Sequence, residues 1–398
     1  MRAWHVRLCA LAWGLSAGTT AGEMQISVMN PSDVSRPSEP VTAGRDVLPA
    51  GVQLPVGWGR AVCGAETLLY QADDLDLDGT ADEVALTADF EAGETRIFRL
   101  MPGGGLPGIQ ERATDAQNWK RVRGVPASVD DDDQTGSARD RRAYRFDGVG
   151  WESSLIGYRL YLDGRNAVDV QGKRQPGLYW KWIGATETDY QEDAPWGMDV
   201  LHVGSALGLG GIGMWEGDSV LKPLVLERQR CRIIARGPVR AVVRVDYAGW
   251  EAGSGRRADI ASVFAIHAGD RVSEHRILGG RGSGGCALVA GMVRHDSGRA
   301  VWDPARGLLT TSGRQSRAGD SLVLALAFHP GDVAGRSRDA HNELVILRRV
   351  EGGETVRFLL GALWAGERPD AETGRAAAQM TERMVRRMQE PLRVRVEK

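Results

Sequence analysis

The stretch VRAVVRVDY, residues 239–247, decides the fold, because apolar residues recur at every second position along it. This two-residue period is typical of a β-strand with one buried face. Many strands, few helical patterns and frequent turn residues predict an all-β sandwich or double-sheet architecture. Shorter runs with the same period occur from Trp151 onward, at Ile156–Leu162, Cys231–Ile234, Ala261–His267 and Leu344–Leu347.

The first hundred or so residues predict a separate, smaller unit. Between Ile26 and Leu100, short alternating runs are broken by Gly, Pro and Asp, which favours a small β-sandwich over residues 24–105. Residues 106–150 have little periodicity and contain the acidic run Asp130–Asp133. We therefore interpret them as a linker, with one short helix around Asp115–Val122.

Residues 151–398 are predicted to form one large β-domain. The one clear helical pattern in it is Ala371–Gln389, where Met380, Met384 and Met388 recur at helical spacing. A single C-terminal helix is therefore expected on an otherwise all-β unit.

Composition excludes several classes of function. The 398 residues are 42% hydrophobic and carry a formal net charge of −2, which argues against disorder and against a nucleic-acid-binding surface. No apolar run reaches the roughly 18 residues that a membrane-spanning helix needs. The glycine-rich run Gly204–Gly213 lacks the Gly-Lys-Ser/Thr of a phosphate-binding loop, so no organic cofactor is expected.

The N-terminus has the layout of a secretory signal peptide. Residues 1–21 combine a positive start, a short apolar centre and small residues that end at Ala21. This predicts cleavage and a periplasmic or secreted location. Cleavage would leave Cys63, Cys231 and Cys286, which permit at most one disulfide bond and match no zinc or redox spacing.

An acidic turn, DLDLDGTADE at residues 74–83, predicts a cation site. Calcium prefers six to eight oxygen ligands, and the spacing points several carboxylates inward. An EF-hand would need a glutamate where Ala85 stands, so the turn is either a shorter structural calcium loop or an acidic hairpin without an ion. The candidate metal ligands are Asp74, Asp76, Asp78 and Asp82.

Functional residue types are concentrated between residues 151 and 222. Aromatic and charged side chains alternate there, which suits carbohydrate recognition because sugar rings stack on aromatic faces. The candidate catalytic residues are His202, Lys181, Tyr190 and Asp199. The candidate substrate-binding residues are Lys173, Arg174, Trp182, Trp196, Tyr161 and Trp151.

A structural role is the simpler interpretation of any single residue in this block. Trp180 and Trp182, two residues apart on a predicted strand, would share a buried face, with Lys181 on the opposite face. Asp199 and His202 would form an ordinary buried hydrogen bond. The concentration of aromatic and charged residues in the block as a whole nevertheless favours a functional role for it.

Three separated motifs resemble those of a bacterial family known as domain of unknown function 4861. They are Trp151–Ser153, Tyr158–Lys173 and Trp196–Gly204. Arg36–Val41 and the acidic turn also resemble it, so the resemblance covers nearly the whole mature chain. The family is similar to the galactose-mutarotase-like supersandwich group and accompanies pectin- and uronate-degrading systems. The resemblance therefore implies a large β-supersandwich and an acidic oligosaccharide or polysaccharide as partner.

The resemblance has one departure, at Gln191, where a Tyr-His pair is expected ahead of the Trp-Gly-Met-Asp motif. If that histidine is catalytic in relatives, its replacement by glutamine puts activity in this chain in doubt.

The leading hypothesis is a lyase that cleaves a uronate linkage by β-elimination. This reaction needs a cation beside the carboxylate, a base for the C5 proton and an acid for the leaving oxygen. The candidate cations are Lys173, Arg174 and Lys181, the candidate base is His202, and the candidate acid is Tyr190 or Tyr161.

Two other functions stay open. A glycoside hydrolase or sugar epimerase on the same scaffold would draw on carboxyl groups, which in a hydrolase stand roughly 5–10 Å apart. A non-catalytic glycan-binding protein would keep the aromatic side chains without the chemistry. The carboxyl groups available to a hydrolase are those of Asp193, Asp199, Glu187 and Glu192.

Overall fold

The computed structural model of the chain describes residues 24–48, 54–103, 112–135, 144–185, 189–368 and 370–397. The predicted signal peptide, residues 1–21, and the candidate carboxylate Glu187 lie outside these ranges. The described chain is mostly β-strand and forms four antiparallel sheets. Among the described helices, none has the length and apolar character needed to cross a membrane.

Sheet I forms the N-terminal unit, and its apolar side chains surround a core of their own that includes Ile26, Val28, Phe90 and Phe98. The chain reaches its last strand only at the far C-terminus. Its strands are β1 (Met24–Met29), β2 (Arg36–Gly44), β3 (Gly57–Cys63), β4 (Glu66–Asp73), β5 (Glu83–Phe90), β6 (Thr95–Pro102) and β27 (Arg393–Glu397). Their order is β2-β5-β4-β3-β6-β1-β27.

Sheets II and III lie side by side and are joined by a bridge between Val168 and Gly208. Sheet II contains β7 (Thr114–Val122), β8 (Val125–Ser128), β10 (Tyr144–Ser153), β11 (Ile156–Tyr161), β12 (Val168–Lys173) and β13 (Gly197–Asp199). Sheet III contains β14 (Leu209–Glu216), β15 (Ser219–Leu221), β20 (Ala287–Val293), β24 (Val333–Arg338) and β25 (Asn342–Leu347).

Sheet IV forms the opposite layer of the large unit. One core, which includes Trp151, Leu209 and Phe358, fills the space between sheet IV and sheets II and III. The predicted all-β fold with a sandwich-like arrangement is thus confirmed. The strands of sheet IV are β9 (Asp131–Thr135), β16 (Arg228–Arg236), β17 (Arg240–Glu251), β18 (Arg257–His267), β19 (Val272–Gly279), β21 (Gly298–Asp303), β22 (Leu308–Gly313), β23 (Leu322–Phe328) and β26 (Thr355–Trp364).

The predicted C-terminal helix is present as α2 (Asp370–Gln389). Its methionines Met380, Met384 and Met388 pack against Ala325 and Leu359 on the outer face of sheet IV. One further α-helix is described, α1 (Trp180–Ala185). In the described ranges, short 3₁₀ helices cover Ser283–Gly285, Pro330–Asp332 and Ala365–Glu367.

The predictions for residues 106–150 were wrong in the described part of that segment. The expected helix at Asp115–Val122 is strand β7, and the expected linker also supplies β8, β9 and the start of β10. The acidic run pairs with β16, where Asp131 and Asp133 bind Arg230 and Arg228. Both faces of β7 carry buried polar residues, so no hydrophobic period marks it as a strand.

The predicted domain boundaries also need correction at the C-terminus. Strand β27 pairs with β1, so the N-terminal unit contains residues 393–397 as well as most of residues 24–105. Cys63, Cys231 and Cys286 are all free thiols.

Candidate active site on the polar face of sheet II

Sheet II has one apolar face and one polar face, and both are buried. Along β11, Tyr158 and Leu160 point into the core, while Arg159 points to the other side, directly across from Asp169. Buried charged groups need hydrogen-bond or ionic partners in the protein, because they lose their hydration when they leave water. The polar face consists of nine residues, none more than 5% exposed: Asp115, Gln117, Glu152, Arg159, Tyr161, Asp169, Gln171, Lys173 and Asp199.

Residues 174–185 and 189–196 cover this face. The ring of Trp180 lies so close to Gly150 and Gly157 that a Cβ on Gly150 would stand 2.5 Å from it, which requires glycine there. The amide of Trp180, the first residue of α1, donates to Oε1 of Glu152 at 2.8 Å. This contact fixes the start of the helix on sheet II, since a carboxylate satisfies a free N–H at a helix N-terminus.

Arg159 lies at the centre of the polar face. Its Nη1 atom donates to the phenol oxygen of Tyr190 at 2.9 Å, and its Nη2 atom binds both Tyr161 and Asp169. The hydroxyl of Tyr161 donates to Oδ2 of Asp169 at 3.0 Å. Nη2 also lies 3.5 Å from Oδ2 of Asp199. One guanidinium thus connects two tyrosines and two carboxyl groups.

Asp199 is completely buried beside Asp169. Burial, and then the negative charge of Asp169, raise the pKa of Asp199 well above its usual range. Two adjacent carboxyl groups cannot both ionise at low cost, so Asp199 keeps its proton. A carboxyl group that stays protonated at neutral pH can donate a proton or a hydrogen bond.

Some buried atoms of the polar face have no partner. Neither the Oε1 nor the Nε2 atom of Gln171 makes a hydrogen bond, and Gln171 is opposite Asp199 across β12 and β13. Leaving a buried polar group unpaired costs about 1–3 kcal/mol. Such groups are retained where a ligand or a reaction uses them more often than where they serve stability alone.

His202 lies at the exposed edge of this network. Arg317 lies near both His202 and the buried carboxyl: its charge acts on the His202 imidazole, its Nε is 3.5 Å from Oδ1 of Asp199, and its amide donates to the carbonyl of Val200 at 3.0 Å. Nε2 of His295 contacts the carbonyl oxygen of His202 at 2.8 Å. Partial desolvation and the charges of Arg317 and His295 lower the pKa of His202, so the imidazole is neutral at pH 7.

Two of the predicted substrate-binding cations are engaged within the protein. The ammonium of Lys173 binds Glu152 and the carbonyl oxygens of Ser153 and Gly177, which uses all three of its donors. Arg174 binds Asp193 through two hydrogen bonds of 2.8 and 3.0 Å. Lys173 therefore holds the covering segment and is not available to a substrate as predicted.

The structure separates the remaining candidates. Trp151 points into the core, where its Nε1 donates to Ser273 at 2.9 Å, and so it does not lie on the polar face with the other candidates. Trp182 and Lys181 lie on α1 and not on a strand; Trp182 is 68% exposed and Lys181 is exposed. Trp196 is half-buried and packs on Tyr179, with ring centroids 5.3 Å apart.

Tyr161, Tyr190, Asp199 and His202 are brought together, whereas sequence reasoning missed Arg159, Asp169 and Arg317. Arg159 and Asp169 lie within strands whose core-facing side chains are apolar. A charged residue within a fully buried strand is a signal for such a site, but strand register decides which charges meet.

The acidic turn is held by the protein itself. Oxygens of Asp74, Asp76 and Asp78 lie within 4.8 Å of one another. Both oxygens of Asp74 accept backbone N–H groups, including that of Gly79 at 2.7 Å. The guanidinium of Arg45 binds Asp76 at 3.2 Å, Asp78 at 3.1 Å, and also the fourth predicted ligand, Asp82. The carboxylates converge as calcium would require, and an arginine faces the same oxygens.

The fold and site are those of an all-β protein with a buried acid–base network on one sheet face. The chain matches the model of the family described as domain of unknown function (DUF4861) over residues 28–394, and it belongs to that family. None of the curated proteins compared with it matches.

Two solved structures from Enterococcus faecalis are similar in parts of their chains. One is a protein in glycosyl hydrolase family 38, with 8% identity and a TM-score of 0.44, and the other is an alpha-mannosidase, with 9% identity and a TM-score of 0.41. Each match covers 94% of this chain and 47% or 46% of the other. The chain thus spans about half the length of those structures.

Proposed function

We propose that this protein is a secreted carbohydrate-active enzyme, a lyase that cleaves uronate-containing glycans by β-elimination. The observation that carries the proposal is the joining of Tyr190, Arg159 and the Asp169–Asp199 pair, with His202 and Arg317 at the exposed edge. An acid, a neutral base and a cation are the three groups that this elimination needs. The resemblance described above implies an acidic glycan as the substrate class.

In the proposed reaction, Arg317 binds the uronate carboxylate and stabilises the charge that develops on it. Nε2 of His202 takes the C5 proton, and the electron pair of the C5–H bond forms the C4=C5 double bond. The C4–O4 bond breaks, and the leaving oxygen takes the hydroxyl proton of Tyr190. Arg159 then stabilises the negative charge on the Tyr190 phenolate. The proton held by Asp199, beside Asp169, can be returned to Tyr190 and so restore its hydroxyl.

A cleft beside His295 offers a path for the rest of an acidic chain. It has a volume of about 500 Å³ and lies between the edges of sheets III and IV. Arg294, Arg336 and Arg338 line it, and Glu343 in the same lining pairs with Arg294 and Arg336. The buried Oε1 of Gln315, which has no hydrogen-bond partner among the described residues, borders it at Gly298. Guanidinium groups bind carboxylates in planar pairs, which suits successive uronate residues.

Hydrolysis has less support from the same geometry. Asp169 and Asp199 lie close enough to share a proton, whereas glycosidases hold their carboxyl groups about 5–10 Å apart. Asp193, another candidate for that role, is half exposed and bound to Arg174.

The test is incubation of the mature protein with a panel of uronate oligosaccharides, followed by ultraviolet absorbance and mass spectrometry. Elimination splits the substrate into two products, one of which carries a conjugated double bond that absorbs ultraviolet light. The masses of the two products sum to that of the substrate. Products heavier by one water would replace the proposal with hydrolysis. Loss of turnover in a His202→Ala variant that still binds the oligosaccharide would assign the base.

A glycan-binding role without catalysis is the second candidate, and the exposure of Trp182 favours it. An indole exposed over most of its surface on a helix above a polar face is a stacking platform for a sugar ring. Binding that is lost in Trp182→Ala but not in Trp58→Ala, a control on sheet I, would support this role if no product forms.

A further inference from the structure

Four arginine side chains converge on a cavity between α2 and the first residues of β2. The cavity has a volume of about 450 Å³, and its charged wall is formed by Arg271, Arg368, Arg383 and Arg386. The one carboxylate among its lining residues, Glu382, is bound to Arg306. The opposite wall is largely apolar and includes Pro37, Leu363 and Met380. We refer to this space as the arginine cavity.

Three of these arginines have no directly bonded partner among the described residues, although the charge of Glu367 acts on Arg368 and that of Asp270 acts on Arg383. Arg271 binds the buried carboxylate of Glu367. In the described part of the chain, the guanidinium groups of Arg368, Arg383 and Arg386 make no hydrogen bond or ion pair, and the Nε atoms of Arg368 and Arg383 are buried without an acceptor. A buried donor without an acceptor lowers stability, so these groups are retained at a cost.

A fifth arginine extends the cavity. Arg36 is 3% exposed and lines a small adjoining pocket together with Arg383 and Arg386. Its Nη2 atom donates to the carbonyl of Glu390 at 2.7 Å and lies 3.7 Å from the Glu390 carboxylate, and its Nη1 lies 3.5 Å from Glu39, but its Nε and Nη1 atoms have no hydrogen-bond partner. Burial and the positive charge of Arg386 lower the pKa of Arg36, against the opposing charges of Glu39 and Glu390. The five arginines outnumber the carboxylates that pair with them, which are Glu367, Glu39 and Glu390, and Glu39 also binds Arg387.

The helix dipole accounts for only part of this cluster. Cations in the last turn of a helix are favoured, and Arg386 lies in the last turn of α2. Arg271 and Arg368 lie outside the helix, and Arg36 belongs to β2. Their convergence on one space from three elements needs another explanation.

We propose that the arginine cavity binds a small organic anion that carries a carboxylate. The planar fork of a guanidinium matches a carboxylate with two parallel hydrogen bonds. The apolar wall suits the carbon skeleton of such a ligand, for example a sugar acid, and the volume lies in the range of small-molecule sites. Phosphate shares the charge but offers no carbon skeleton to that wall. The proposal does not depend on the lyase function.

The ligand would also connect the two units of the protein. Arg36 and Pro37 belong to sheet I, whereas Leu363 is in sheet IV and Arg383 is in α2. An anion that binds all of them only in the native state raises the melting temperature as its concentration rises.

The experiment is calorimetric titration of the full mature chain with D-galacturonate, galactose and inorganic phosphate at constant ionic strength. The proteins are wild type, Arg383→Gln/Arg386→Gln, Arg368→Gln, and the control Arg375→Gln on an exposed part of α2. A His202→Ala variant separates this cavity from the candidate active site.

We expect galacturonate to bind wild type, Arg375→Gln and His202→Ala alike, and to bind the other two variants at least tenfold more weakly. Phosphate should bind more weakly than galacturonate, and galactose should not bind. Without ligand, Arg383→Gln/Arg386→Gln should melt no lower than wild type, because a repulsion is removed. Equal binding by all variants, binding lost only in His202→Ala, or equal binding of galactose would overturn the proposal.

Discussion

The Nη1 atom of Arg159 donates a hydrogen bond of 2.9 Å to the phenol oxygen of Tyr190. This contact joins a fully buried strand residue to the segment that covers it, and the amide of Asp199 donates to the carbonyl of Tyr190 at 2.7 Å. Since a phenol oxygen accepts and donates at once, Tyr190 keeps its own proton for another partner. Arg159 is therefore a positioning residue, and Tyr190 is the group that can meet a substrate.

Replacement of Tyr190 by phenylalanine tests this division of roles. The ring stays, but the hydroxyl that would protonate the leaving oxygen is lost, so turnover of a uronate oligosaccharide should fall roughly 10²- to 10⁴-fold. Arg159 loses an acceptor, which should lower stability by about 1–3 kcal/mol. Tyr179→Phe is the matched control, because that hydroxyl only donates to the carbonyl of Gln175. Full turnover by Tyr190→Phe would transfer the acid role to another group.

Replacement of Asp199 by asparagine should abolish activity without lowering the stability of the fold. The raised pKa of Asp199 means that the folded protein keeps a proton which the unfolded chain releases above about pH 4. The unfolded state then binds fewer protons, so this residue lowers stability as pH rises towards its folded pKa. Asparagine resembles the protonated acid and does not titrate.

The expected result for Asp199→Asn is therefore loss of turnover, with a melting temperature at pH 8 equal to or above that of wild type. The difference should shrink towards about pH 3, where Asp199 is protonated in the unfolded chain as well as in the folded protein. A variant that melts well below wild type at both pH values would contradict the protonated state of Asp199.

Local periodicity predicted the strands and helices that bury one face in a hydrophobic core. Strand β17 alternates cleanly, and α2 presents three methionines to sheet IV, so both were found from the sequence. Strand β7 was mistaken for a helix because polar residues occupy both of its buried faces. In α1, the spacing of Trp180 and Trp182 was taken for that of a strand, whereas one ring is buried against sheet II and the other is exposed.

The types of residue that form the site could be predicted from the sequence, but the contacts between them could not. Tyr161, Tyr190, Asp199 and His202 were named from their composition, yet Trp151 has the same type and belongs to the core. The meeting of Arg159 with Asp199 depends on the register of β11, β12 and β13 and on a covering segment from elsewhere in the chain. Neither is encoded in a local pattern.

A buried histidine in the core should make the protein sensitive to acid. His275 is completely buried between Phe264 and Phe358, and its ring nitrogens contact Ser262 at 2.9 Å and the carbonyl of Gly210 at 3.1 Å. Burial lowers the pKa of His275 to about 3. The unfolded chain takes up a proton below about pH 6.5 that the folded protein excludes, so stability falls with pH from there down to about pH 3.

Between pH 7 and pH 4.5 this single group should cost about 2.5 kcal/mol. Urea unfolding of wild type and His275→Gln at the two pH values measures it, because glutamine does not titrate. We expect the variant to be less stable at pH 7, since its packing is altered, but to lose less stability on acidification. The same loss in both proteins would show that His275 does not carry this pH dependence.

Calcium and Arg45 should compete for the acidic turn. The guanidinium binds three of the four predicted ligands, so we propose that a calcium ion must displace it before it can bind Asp76, Asp78 and Asp82. Millimolar calcium should therefore raise the melting temperature of Arg45→Gln by at least about 2 °C more than that of wild type. Magnesium at the same concentration is the control, because it releases its waters reluctantly and fits flexible carboxylate loops poorly. If calcium leaves both proteins unchanged, the turn is an acidic hairpin that the arginine alone neutralises.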